Sequence, residues 1–182
     1  MGNHFCPWWL AYTFDNPLRA LFHKPEQIFA HLVKEGMTVA DIGCGMGYFS
    51  IGLARLVGAD GLVIAADIQK KMLEVLEERA KKAGVSDIIR PHLCKEKEIG
   101  IEGPIDFALA FWMVHETPEK KQFLQQINAI LKNSGLLLIT EPKFHVSRAQ
   151  FEQEIDIAQS VGFRIKDEPK ITFSRSVLLE KV

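Results

Sequence analysis

The sequence is short of cysteine: three in 182 residues, widely spaced, an odd number with no CxxC pair. Such a set closes no disulfide framework and offers no zinc-ligand spacing, which points to a reducing, cytoplasmic setting. An excess of positive charge is also missing. Lys plus Arg number 22 against 23 for Asp plus Glu, a formal net charge of -1. With no long-range positive field to gather polyanions, nucleic acid is not expected as a partner. No apolar run reaches the roughly 18 residues that a membrane-spanning helix needs. The stretch Phe5 to Tyr12 is short, broken by Pro7 and without a basic flank, so neither a span nor a secretory leader is expected. Long-period repeats and Gly/Ser- or Pro-rich linkers are lacking too. The composition that remains, 47% hydrophobic and 25% charged, is that of one globular domain.

From Thr38 onward, short β-rich runs alternate with stretches of helical period. Thr38 to Ile42, Leu62 to Asp67, Ile88 to Leu93, Ile105 to Trp112 and Leu136 to Glu141 are continuous apolar runs, as strands buried on both faces require. Pro25 opens a helix ahead of the first of them. A second helix runs from about Gln69 to Gly84, and Thr117-Pro118 opens a third, closed by Asn133-Ser134-Gly135. Ser147 with Gln150 predicts a capping box for a last helix, ended by Gly162. The tail from Phe163 to Glu168 and from Ile171 to Leu179 leaves no room for a helical crossover, so an antiparallel hairpin is expected. The predicted fold is α/β: a three-layer, doubly wound, mostly parallel, seven-stranded Rossmann-like sheet ending in that hairpin. Residues 1–36 are expected to form a helical, aromatic arm and 37–182 the domain proper, with ligands in the crevice at the carboxyl ends of the strands.

The sharpest local signal is Val39-Ala40-Asp41-Ile42-Gly43-Cys44-Gly45-Met46-Gly47-Tyr48-Phe49-Ser50, a buried strand running into a glycine-rich turn and a helix. Glycines there admit positive φ and let backbone and helix N-terminus lie against a ligand. Asp67 follows Gly47 by 20 positions, at the end of the second strand, where a carboxylate can accept both hydroxyls of a ribose. A dinucleotide fingerprint would need a glycine where Tyr48 stands, so a nucleotide-dependent oxidoreductase is the weaker reading.

Asp-x-Gly-x-Gly-x-Gly with an acidic residue closing the next strand resembles the class I S-adenosylmethionine-dependent methyltransferases, over about Thr38 to Val182. Within that family, Phe111-Trp112-Met113-Val114-His115-Glu116 and Leu131-Lys132-Asn133-Ser134-Gly135 are similar to small-molecule enzymes of the ubiquinone/menaquinone-biosynthesis type. The resemblance implies S-adenosylmethionine as cofactor and a small-molecule methyl acceptor. It places Asp41, Gly43 and Gly45 around the methionyl part of the cofactor, with Cys44 and Gly47 in the same cofactor-binding loop, Asp67 on the ribose and Ile68 against the adenine. Many relatives end the third strand with a small polar or acidic group that reaches the adenine; Cys94 or Glu96 would substitute here.

His115 follows the fourth strand at the crevice and is the candidate base, with Glu116 orienting its ring. Glu141 and His145 follow the fifth strand and are expected to face the same crevice, with ordering of the loop favoured over catalysis. Trp8, Trp9 and Tyr12, with His145, are expected to wall the substrate pocket, and a homodimer would be another use for the aromatic arm. No metal spacing such as H-E-x-x-H occurs. A non-catalytic S-adenosylmethionine-binding sensor or activating subunit stands as the alternative, disfavoured by the polar groups His115, Glu116 and His145.

Overall fold

The computed structural model describes residues 22–182. Its elements are α1 (Pro25–Phe29), β1 (Thr38–Ile42), α2 (Tyr48–Val57), β2 (Leu62–Asp67), α3 (Lys70–Ala83), β3 (Ile89–Leu93), β4 (Ile105–Phe111), a 3-10 turn (Val114–Glu116), α4 (Lys120–Ile130), β5 (Leu131–Pro142), α5 (Arg148–Ser160), β6 (Phe163–Asp167) and β7 (Ser174–Lys181). The seven strands form one sheet in the order β3-β2-β1-β4-β5-β7-β6. β1 pairs in parallel with both β2 and β4, while β7 runs antiparallel to β5 and β6. The chain order therefore reverses direction at β1/β4, and an open α/β sheet has its ligand crevice at such a switch point.

Alternate residues of each strand feed two separate cores. Ile42, Ala66, Ala110, Leu137 and Ile139 face Phe123, Leu124 and Ile127 of α4 and Phe151 and Ala158 of α5. Val39, Val63, Phe107, Leu109 and Leu138 face Phe29 of α1, Phe49 and Leu53 of α2, and Leu76 and Ala80 of α3. Each face thus buries its own apolar stripe, which fixes the strand register, since a slip of one residue would exchange the two cores. Three layers result.

The predicted strands are all present, with two instructive differences at their ends. β4 stops at Phe111, because Trp112 takes φ 60, a left-handed backbone that no ladder continues. β5 begins five residues earlier than its apolar run, at Leu131, which pairs with Ile105 before a register shift between Ile105 and Phe107. The last helix carries its capping box: the Ser147 side chain accepts from Gln150 N–H, and the Gln150 side chain accepts from Ser147 N–H. The sheet's two borders are β3, with Pro91 within it, and β6, whose Arg164 and Lys166 both bind Glu180 of β7 at 2.6 and 2.9 Å. Among the described residues, no helix is long and apolar enough to cross a membrane.

Candidate functional site

The turn after β1 places its three glycines in the left-handed region, at φ 72, 54 and 82 for Gly43, Gly45 and Gly47, but their surroundings differ. A Cβ on Gly43 would come within 2.8 Å of the Met113 side chain, and one on Gly47 within 2.7 Å of Leu76. These two permit close approach inside the protein. Above Gly45 nothing lies within 4 Å, so its missing side chain leaves space in the cleft itself.

Asp67 ties this loop down. Its Oδ2 accepts from Gly45 N–H at 2.9 Å and its Oδ1 from Gln69 N–H at 2.8 Å. Burial raises the Asp67 carboxyl above its ordinary value, against backbone N–H groups of Gln69, Gly45 and Ile68 that pull it down. A carboxylate has about four accepting directions, so these N–H groups leave capacity for a ligand hydroxyl. The cleft wall comprises Gly43, Gly45, Asp67 and Ile68 on one side, Cys94 to Ile99 at the end of β3, and Trp112, Met113, Glu116 and the start of α4 opposite. The loop after β3 is clamped by Gln126, which accepts from Ile99 N–H and donates to the Lys97 carbonyl. Burial, then the Asp67 charge, pushes the Cys94 thiol up to about 12, so it stays protonated at neutral pH.

Asp41, Cys44 and Gly47 lie behind this wall. Buried Asp41 accepts from the Ser50 hydroxyl at 2.5 Å and so ties the first turn of α2 to β1. Cys44 packs into the α2 core, with its thiol raised well above normal by burial and by the charges of Asp41 and Asp67. Trp8, Trp9 and Tyr12 lie outside the described residues.

The second cluster forms where the 3-10 turn crosses the end of β5. Glu116 lines the cleft, and His115 sits one layer behind it, 15% exposed. The ring is oriented by Glu141 rather than by Glu116. Glu141 is fully buried; its Oε1 accepts from His115 N–H at 3.1 Å, and its Oε2 accepts from His115 Nδ1. Nε2 lies 4.0 Å from Glu116 Oε1, and the ring stands edge-on to His145. Sequence spacing could not show the Glu141 contact, because it depends on β4 and β5 running side by side with Phe111 opposite Thr140.

Deeper still, Glu154 of α5 is 2% exposed, with Oε1 3.6 Å from Lys120 Nζ and Oε2 without a hydrogen-bond partner. Burial, reinforced by the charge of Glu141, raises Glu154 to about 7 against the pull of Lys120 and His115. For His115, burial opposes the charged ring, but the hydrogen bond and charge of Glu141 with the charges of Glu116 and Glu154 outweigh it, and its value is raised. Both groups therefore hold protons more tightly in the native state than in the unfolded chain. Their contribution is present at low pH. That of Glu154 is lost as pH rises from the unfolded carboxylate value toward about 7, and that of His115 above the ordinary histidine range. Urea-unfolding free energies between roughly pH 5 and pH 7.5 are expected to fall less steeply in Glu154→Gln, by at most about 3 kcal/mol over that range. Parallel curves for variant and wild type would refute this. Among the described residues, no three His, Cys, Asp or Glu side chains converge to hold a metal ion.

Comparison with known proteins agrees with this geometry. A family model described as a methyltransferase domain matches residues 33–170. The chain is 29% identical over 110 residues to the ubiquinone/menaquinone biosynthesis C-methyltransferase of Haemophilus ducreyi, covering 60% of this chain and 42% of that protein. It is 29% identical over 132 residues to the ubiquinone biosynthesis O-methyltransferase of Caulobacter vibrioides, covering 68% and 51%. The chain thus spans about half the length of these curated relatives. The fold is shared with a SAM-dependent methyltransferase from Aquifex aeolicus, at TM-score 0.87 and 24% identity over 98% of this chain and 100% of that one. A SAM-dependent O-methyltransferase from Thermotoga maritima follows at 0.71 and 20%, over 87% and 65%. Glycine turn, the carboxylate closing β2, sheet order and family match converge: the chain belongs to the methyltransferase-domain family.

Proposed function

We propose that this domain transfers a methyl group from S-adenosylmethionine to a small-molecule acceptor at the cleft between the glycine turn and the 3-10 turn. The observation that carries the reading is the buried Asp67 carboxylate at the edge of the open space over Gly45. That arrangement fits a nucleoside bearing a flexible charged tail. Asp67 would hold the ribose, Ile68 and Cys94 would flank the adenine, and the backbone from Gly43 to Gly45 would receive the methionyl end. Bound there, S-adenosylmethionine supplies an electrophilic methyl group.

The two curated relatives are named for methyl transfer in quinone biosynthesis, one to carbon and one to oxygen. They support an oxygenated acceptor that must lose a proton as the methyl group arrives. Glu116 lines the cleft and is the group that meets this proton; His115, held by Glu141, backs it as a positioning residue. Alignment of acceptor and donor in the cleft supplies the rest. The aromatic arm of residues 1–36, with Trp8, Trp9, Tyr12 and His145 as pocket wall, and a cytoplasmic setting without a nucleic-acid partner belong to the same reading. Near-neutral charge and three unpaired-in-motif cysteines support that setting.

Calorimetric titration with S-adenosylmethionine, S-adenosylhomocysteine and NAD tests the cofactor directly. Binding of the first two alone is the expected result, and a screen of phenolic and quinol acceptors for methyl incorporation follows from it. Tight NAD binding, or no binding by any of the three, would overturn the reading.

A further inference from the structure

The buried face of α5 presents Phe151, Glu154 and Ala158 to the sheet. A carboxylate in that row has no packing purpose, and it costs desolvation that an aliphatic side chain would not. What surrounds it is a closed group of charges drawn from four elements: Lys120 of α4, His115 and Glu116 of the 3-10 turn, Glu141 of β5 and Glu154 itself. Lys120 links the group, 3.6 Å from Glu154 Oε1 and donating to the His115 carbonyl at 3.4 Å. The remaining neighbours are engaged elsewhere. Arg175 of β7, opposite Glu141 in the ladder, donates through Nε to the Val146 carbonyl, and His145 stands edge-on to the His115 ring with the ring centres 4.8 Å apart.

The charge count inside this group is decisive. Glu116 and Lys120 stand equally exposed at its edge with opposite charges, so the enclosed part holds the carboxyl groups of Glu141 and Glu154 against the His115 ring. One added proton, on the His115 ring or on Glu154, relieves part of this negative excess. A buried cluster disfavours a net charge, so occupancy of one site weakens proton binding at the other. We propose that Glu154 is a positioning residue that shares this proton with the His115–Glu141 pair, so that the charge on the imidazole is governed from α5 as well as from the cleft. The two sites do not pass the proton directly; each equilibrates with water, and the coupling is electrostatic. Glu154 is raised to about 7 and His115 is raised above its ordinary value, and the charge of each acts on the other.

The inference rests on the proposed catalytic reading only for its effect on turnover. Its test therefore uses the ligand-free protein. The His115 ring, assigned by comparison with His115→Asn, is followed by heteronuclear NMR across pH in wild type, Glu154→Gln and Lys120→Met. Wild type is expected to titrate more broadly than a single site. Glu154→Gln should give a simple one-site curve with its midpoint moved to lower pH, because the carboxylate that favoured the imidazolium is gone. Lys120→Met should move it to higher pH. A Glu154→Gln curve superimposable on wild type overturns the proposal. Should that variant not fold, carbon-13 carboxyl titration of the wild-type protein decides: Glu154 must show an inflection at the His115 midpoint, and a carboxyl that ionises without one refutes the coupling. Failure of the protein to methylate any acceptor would leave these curves unaffected, so the two readings fail separately.

Discussion

Asp67→Ala is expected to weaken S-adenosylmethionine binding by about 10²- to 10³-fold, the loss of two charge-assisted hydrogen bonds to ribose hydroxyls. A second consequence separates this residue from an ordinary ligand contact. Asp67 also accepts from Gly45 N–H, so the variant leaves that amide without its partner and frees the turn. Isothermal titration measures the first effect. Faster hydrogen exchange at Gly45, with unfolding otherwise unchanged, measures the second. Binding within threefold of wild type would remove Asp67 from the cofactor site, whatever happened to the amide.

Glu141→Gln should have the larger effect on turnover. The amide is nearly the same size and keeps an oxygen, yet it cannot hold the His115 ring by charge, and its amino group faces a donor on one side. With an acceptor in hand, kcat is expected to fall by about 10²-fold, the low end for a proton-transfer group, because Glu116 stays in place and only its His115 support is loosened. Affinity for S-adenosylmethionine should be unchanged, because Glu141 lies beneath the 3-10 turn and not on the cleft wall. The buried partner left poorly satisfied costs roughly 1–3 kcal/mol of stability, to be read from urea unfolding. Wild-type kcat in a folded Glu141→Gln would show that the His115–Glu141 pair serves only to order the turn.

What could be read from the chain, and what could not, follows from the range of the interactions involved. Strand cores were legible because 62–66 and 107–111 are unbroken apolar runs, and a doubly covered sheet asks for that. The capping box at Ser147 and Gln150 was legible because both partners lie within one turn. The early start of β5 was hidden: Asn133-Ser134-Gly135 has turn chemistry, and Ser134 indeed takes φ 60, yet the ladder to β4 resumes across the irregularity. In the site, Gly43, Gly45 and Asp67 announced themselves by spacing. Glu141 was expected to face the crevice and instead lies buried beneath the 3-10 turn; its contact with His115 joins residues 26 apart through a strand register that no local pattern encodes. The division of labour among the glycines was likewise hidden, because it depends on Met113 and Leu76 arriving from elsewhere in the chain.

The borders of the sheet bear on how copies of the molecule can meet. A strand at the rim of an open sheet is a template on which another chain can grow, by dimerisation or by aggregation. β3 carries Pro91, which has no N–H to offer a newcomer, and β6 sets out Arg164 and Lys166, long cations anchored to Glu180 that an incoming strand would have to displace. Neither rim invites extension. Self-association by continuing the sheet is therefore disfavoured at both ends, and a dimer of this domain would have to be built on its helical faces or on its loops.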